Sequence, residues 1–154
     1  MKTINTNTKM LNLLIKHRNK NSVISKKLKS IINTGLIVID DCLLIKTFYI
    51  ANKKHLTLEY FNYDYINYET AINGFHIDDF SDNNYLEQGI LFLNEIEKII
   101  AKKYPNTNVE LILCKTNIGY HFTMHTIRKG ITYINDDLEI YQEPTIVIKY
   151  TTNK

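Results

Sequence analysis

The chain is expected to fold as an α+β domain: an antiparallel sheet of about five to six strands, with an N-terminal helical segment and one long helix over about 82–104 packed on it. Three observations predict this. Apolar residues recur at helical spacing at both ends of the first 104 residues, short runs rich in Ile, Val, Leu and aromatics lie between and after them, and no repeat or low-complexity linker divides the chain. With 154 residues, 44% of them hydrophobic and 23% charged, the sequence has the length and composition of one globular domain, residues 1–154.

The stretch Met1 to Lys9 opens polar. Leu11, Leu14 and Ile15, then Ile24, Leu28, Ile31 and Ile32, follow helical spacing with lysines between them, and Gly35 stands where a helix stops. The spacing predicts one broken helix or two short ones from about Thr8 to Asn33. Leu36 to Ile50 reads as a strand, Ala51 to Lys54 as a polar break, and the alternation from His55 to Tyr60 as a second strand. From Tyr63 to Asn84 periodicity is weak, and a strand carrying Tyr63 and Tyr65 on one face, followed by loop, is expected. Ser81 or Asp82 is the expected cap of the long helix, whose apolar face is Leu86, Ile90, Leu93, Ile96 and Ile100 and whose end is set by Pro105. Val109 to Thr116, Tyr120 to Arg128 and Thr145 to Thr151 read as three strands, the first two joined by a turn at Asn117 to Gly119.

Charge is segregated along the chain. Residues 1–54 carry eleven Lys or Arg against Asp40 and Asp41, a balance of +9, whereas residues 55–154 balance at −6, leaving +3. Between His55 and Glu97 there is no Lys or Arg, and nine carboxylates are interleaved with tyrosines and phenylalanines. Such a window offers a field that a basic partner can read. Within it the candidate contacts are the acids Asp64, Glu69, Asp78, Asp79 and Asp82 and the anchors Tyr63, Tyr65 and Tyr68. Tyrosine gives large contact area at low entropy cost, and carboxylates facing a cationic partner add steering and charge-assisted hydrogen bonds.

Enzyme chemistry finds little support in the residues. The chain has no GxSxG, P-loop or GxGxxG, and five glycines are little material for a phosphate cradle. Cys42 follows Asp40 and Asp41, whose charges raise a thiol pKa, and Cys114 falls in a core strand, so both read as buried thiols. His121 and His125, with His76 and Asp78, suggest a metal site only until distance is considered. Two strand histidines four apart stand roughly 13 Å apart, too far for one ion. No metal and no cofactor are expected. Neither a signal peptide nor an apolar run of membrane-spanning length is visible, so a cytoplasmic location is expected. The lysine-rich helices of the first third give a second functional reading, a small DNA-binding regulator, although Arg18 and Arg128 are the only arginines and the remaining field repels a duplex.

From His125 the chain reads HTIRKGITYINDDLEIYQEP and ends in TIVIKY. This resembles the C-terminal signature of small bacterial immunity proteins of contact-dependent growth inhibition and polymorphic toxin systems, in which a strand ending H-x-x-R leads into a glycine turn, an aromatic, D-L-E-x-Y-x-E-P and a last strand. His125, Arg128, Gly130, Tyr133, Asp137, Leu138, Glu139, Tyr141, Glu143 and Pro144 fall on the pattern. Ile131 departs from it where an acid is expected, and Tyr133 where tryptophan is more usual. The resemblance implies one-to-one binding of a cognate toxin domain without a cofactor, and the acidic window points to a nuclease toxin whose phosphate-gripping groove the carboxylates imitate. The motif itself reads as scaffold. Asp136 or Asp137 is expected to cap a short helical turn, Pro144 to end it, and Arg128 to pair with Glu139 or Glu143.

Overall fold

A computed structural model describes residues 1–18 and 22–152. Among them are five α-helices, a five-stranded antiparallel sheet and a separate two-stranded hairpin, an α+β architecture. The elements run β1 (Lys2–Thr6), α1 (Thr8–His17), α2 (Lys26–Thr34), β2 (Leu36–Ile39), β3 (Cys42–Ile45), α3 (Lys46–Asn52), α4 (Tyr65–Asn73), β4 (Phe75–His76), α5 (Tyr85–Lys103), β5 (Val109–Lys115), β6 (Tyr120–Thr126) and β7 (Thr145–Tyr150). The large sheet has the order β1-β7-β5-β6-β4 and the small one pairs β2 with β3.

The long helix spans Tyr85–Lys103 and buries Leu86, Phe92, Leu93, Ile96 and Ile100 against Leu111, Leu113, Phe122, Met124, Ile146 and Ile148 of the sheet. Its start differs from expectation. Neither Ser81 nor Asp82 caps it; Asn84, in the left-handed region at φ 52, precedes the first turn without a capping side chain. The N-terminal segment resolves into two helices among the described residues. Asn7 caps α1 by accepting from Met10 N, and Ser25 caps α2 by accepting from Leu28 N. Gly35 ends α2 at φ 83, a conformation that glycine adopts without a Cβ penalty. Helix α1 packs on β1 and β7, and α2 on α5 and α3.

Three sequence expectations are corrected. The run Leu36 to Ile50 is a hairpin followed by α3, because Asp40 and Asp41 both take positive φ (50° and 59°), the signature of a tight hairpin turn. His55 to Tyr60 forms turns instead of a strand. Tyr65 to Asn73 is helix α4 rather than a strand with Tyr63 and Tyr65 on one face; Asp64 caps it by accepting from Asn67 N at 3.0 Å. The polar N-terminus also supplies an edge strand, β1, which the sequence does not suggest.

The second face of the large sheet is covered by residues 128–144, with Ile134, Leu138 and Tyr141 over Ile112 and Val147. Asp137 caps the short 3-10 turn Leu138–Ile140 by accepting from Glu139 N, and the final strand begins after Pro144, as the motif implies. Glu139 accepts from Thr8 N (2.6 Å) and Thr8 Oγ1 (2.8 Å), which ties the motif to the start of α1. Buried Asn7 completes that junction, donating to Glu143 O at 2.8 Å and accepting from Thr145 N at 3.1 Å.

His125, the first residue of the motif, is buried on this face beside the Tyr133 ring (centroids 5.2 Å apart) and bonds Glu110 at 2.7 Å. Lys149 approaches the other Glu110 oxygen at 3.1 Å and Asp136 at 2.6 Å. Burial raises the Glu110 pKa, but the hydrogen bonds and charges of His125 and Lys149 outweigh it and hold the carboxyl below its ordinary value. A carboxyl depressed in the folded state contributes stability that is complete above its unfolded pKa, about 4.3, and is lost as pH falls through the folded value. Thermal melts between pH 6 and pH 3 are therefore expected to show a steeper loss of Tm for the wild type than for Glu110→Gln, and parallel curves would remove Glu110 from the acid response.

Candidate protein-binding site

Two irregular segments build an exposed concavity of about 460 Å³. One is the β2–β3 turn, carrying Asp40 and Asp41; the other is the chain from Thr57 to the start of α4, carrying Leu58, Glu59, Tyr63 and Tyr65. Asn62 and Tyr63 both hold positive φ (52° and 61°), and for a bulky side chain such as Tyr63 this is a strained conformation that surrounding contacts must maintain. The two tyrosines that line the concavity are both exposed, Tyr63 at 63% and Tyr65 at 36%. Glu59 shares the concavity with the rings, and exposed Asp64, next in sequence to both tyrosines, caps α4 with its carboxylate. Aromatic area, three carboxylates of the concavity and the neighbouring Asp64 thus meet on one ledge.

The ledge is held from beneath by Arg128. Its Nη1 bonds the Glu69 carboxylate, its Nη2 donates to Asp41 O at 3.1 Å and approaches Cys42 Sγ at 3.5 Å, and its guanidinium lies 4.9 Å from the Tyr65 ring centroid. One cation therefore fixes the hairpin turn, α4 and an aromatic of the ledge together. Arg128 pairs with Glu69, not with Glu139 or Glu143, because the chain after β6 passes over the start of α4 while Glu139 is engaged at Thr8. Glu69 also accepts from Leu43 N (2.9 Å), Thr126 N (3.0 Å) and Thr126 Oγ1 (2.6 Å). Burial and the Glu69 charge push the Cys42 thiol up to about 12, against the opposing pull of Arg128, so it stays protonated and unreactive near neutral pH.

The structure divides the sequence-predicted contacts into three groups. Tyr63, Asp64 and Tyr65 lie on the ledge. Tyr68 and Glu69 are buried, at 3% and 0% exposure, and belong to the support below it: α4 turns them inward at helical spacing, where a strand would have alternated them with the solvent face. Asp78, Asp79 and Asp82 stand beyond the far end of α4, a nine-residue helix that is about 13 Å long. Asp78 there accepts from Tyr120 N at 3.2 Å and occupies the space a Cβ on Gly119 would need, 2.0 Å from its carboxylate oxygen, so it closes the β5–β6 turn. Asp79 and Asp82 are exposed at that second location. Other acids of the window pair internally: Glu87 with His17, Glu95 with Lys98, and Glu97 with Lys2 and Tyr150. The members absent from the sequence-predicted contacts are Glu59, which lies within the acidic window, and Asp40 and Asp41, which lie outside it and reach the ledge only through the hairpin.

His76 and His121 are cross-strand partners with ring centroids 5.2 Å apart, while His125 is committed to Glu110. Among the described residues no group of three or more His, Cys, Asp or Glu side chains is arranged to hold a metal ion, and no helix is long and apolar enough to cross a membrane.

The fold and this site define a small α+β protein with an acidic, tyrosine-bearing ledge. The chain belongs to the family described as "Uncharacterized protein PM0498 family", whose model matches residues 5–154. It is 35% identical over 121 residues to "Uncharacterized protein PM0498" of Pasteurella multocida (strain Pm70), a match covering 72% of this chain and 74% of the relative. No solved structure matches.

Proposed function

We propose that this protein is an immunity protein that binds a cognate toxin domain and neutralises it by occluding its active site or substrate groove, and that the toxin is a nuclease. The observation that carries the reading is the ledge, where exposed Tyr63 and Tyr65 stand among Asp40, Asp41 and Glu59, with exposed Asp64 between the two tyrosines in sequence. Exposed aromatics on a strained, well-anchored loop are the residues from which binding hot spots are made. Carboxylates around them match a groove that must be basic to hold a phosphate backbone. The C-terminal motif supports the same reading, because its Arg128 is the post on which the ledge rests. The location is expected to be the cytoplasm, where such a toxin meets its substrate.

The proposal requires a toxin gene beside this one, and calorimetric titration against the C-terminal domain of that gene's product tests it. Saturable one-to-one binding is expected. The double variant Glu59→Lys with Tyr63→Asn is expected to weaken it at least 100-fold, about 2.7 kcal/mol, with little change in Tm. Asparagine tolerates the left-handed backbone at position 63, so the fold is kept while the ring is lost. Unchanged affinity rejects the ledge. Absence of toxin binding, together with duplex DNA retention that falls steeply with salt and with loss of the exposed α2 lysines Lys26, Lys27 and Lys29, replaces the reading with that of a DNA-binding regulator.

A further inference from the structure

We propose that two copies of this chain pair through strand β1, extending the five-stranded sheet across a two-fold axis at Ile4. Strand β1 leaves half of its backbone groups open. Met1 and Thr151 exchange both of their backbone hydrogen bonds, and Asn7 N donates to Thr145 O at 3.2 Å. The intervening register is unbroken from Lys2 opposite Tyr150 to Thr6 opposite Ile146. Hydrogen bonding in an antiparallel ladder alternates with period two, so odd positions bond β7 and the N–H and C=O of Lys2, Ile4 and Thr6 point out of the sheet. Among the described residues no strand covers that edge, and Lys2, Thr3, Ile4 and Asn5 are all exposed.

The edge is only lightly blunted. It carries no proline and no bulge, and its single charge, Lys2, is bonded to Glu97. It is also self-complementary. With the axis at Ile4, that residue exchanges both backbone bonds with its own copy, and Lys2 of each chain does the same with Thr6 of the other. The two lysines then stand four residues apart along the ladder, about 13 Å and beyond a Debye length of about 8–10 Å, each beside its own Glu97. Ile4, 57% exposed in one chain, meets its copy directly opposite, where apolar cross-strand pairs are favourable. A five-residue strand pairing buries less than the roughly 1,000 Å² of a durable interface, so the dimer forms in the micromolar to millimolar range.

The test exploits the parity and the two-fold. In sedimentation equilibrium of the full chain, mass is expected to rise with concentration from that of one chain toward that of two. Ile4→Pro removes an outward N–H while leaving the β7 ladder intact, and is expected to weaken association at least tenfold. Ile4→Glu and Ile4→Lys place like charges opposite each other and are each expected to stay monomeric, whereas their mixture regains association. A wild type that is monomeric throughout overturns the proposal, as does association indifferent to position 4, or a mixture that fails to rescue. A chain that remains monomeric alone yet loses toxin binding on Ile4→Pro assigns the edge to the toxin and overturns self-pairing.

Discussion

Glu69→Ala is expected to destabilise the protein by about 3–5 kcal/mol, the cost of removing one partner of a buried ion pair. The carboxylate is fully buried and serves the Arg128 guanidinium, Leu43 N, Thr126 N and Thr126 Oγ1. Alanine leaves a part-buried cation and two backbone donors without their acceptor, and each orphaned donor adds a penalty of its own. For a domain of this size the loss corresponds to a Tm lower by roughly 10 °C or more. Arg128→Ala is expected to cost nearly as much, since it strands the charge of Glu69, and the double variant less than the sum of the two. Urea melts of the four proteins measure the coupling. A loss below about 1 kcal/mol for Glu69→Ala would show that the hairpin and the ledge are held by something other than this pair. The same variants connect stability to function: Arg128 carries Asp41 O and the Tyr65 ring, so its removal loosens the ledge even under conditions in which the sheet survives.

What the sequence revealed depended on whether an element's burial is written in its own spacing. Helix α5 was legible because Leu86, Leu93, Ile96 and Ile100 repeat at 3.6 residues and Pro105 ends them. Strands β5 to β7 were legible from their β-branched runs and the Asn117 to Gly119 turn. Helix α4 was not, since its inward face includes Glu69 and Asn73, and polar residues at buried positions erase the apolar period. Strand β1 is polar and exposed, and only β7, some 140 residues away in sequence, makes it a strand. The candidate site shows the same division. Tyr63, Asp64 and Tyr65 were singled out by charge and aromatic density. Asp40 and Asp41 were not, because an Asp-Asp pair lacks the Asn-Gly or Asp-Gly signature of a two-residue hairpin turn. The Arg128–Glu69 pair spans 59 residues and leaves no local trace.

Those polar residues of α4 also explain how two sheets that share no strand pair become one body. Hairpin β2–β3 stands beside the edge of β6 that β4 pairs only at Phe122 and His121. Across the gap Asn73 does the work of a missing strand: its amide donates to Leu43 O and Met124 O, each at 3.0 Å, and its carbonyl accepts from Ile45 N at 2.7 Å. Glu69, one helical turn earlier, bridges Leu43 and Thr126 in the same way. The hairpin turn that carries Asp40 and Asp41 is thereby placed relative to the sheet by two side chains.

Asn73→Leu, nearly isosteric, separates this bridging from packing. Leucine fills the volume but leaves Ile45 N, Leu43 O and Met124 O buried without partners, at about 1–3 kcal/mol for each group. The expected loss is roughly 3–5 kcal/mol, since relaxation and entering water recover part of the sum. Amide hydrogen exchange locates the effect. Protection of Leu43 and Ile45 is expected to fall toward that of a locally opening segment, while Leu111 and Leu113 in the centre of the large sheet keep theirs relative to the new global stability. Uniform loss across both sheets would mean that the hairpin and the sheet unfold as one unit, and protection retained at Leu43 would mean that packing of Leu44 and Cys42 against Tyr68 and Ile72 holds the hairpin without the amide. Under the proposed immunity function a second readout follows: if Asn73 positions the Asp40–Asp41 turn, Asn73→Leu weakens binding of the toxin domain at temperatures where the chain remains folded, although position 73 is fully buried.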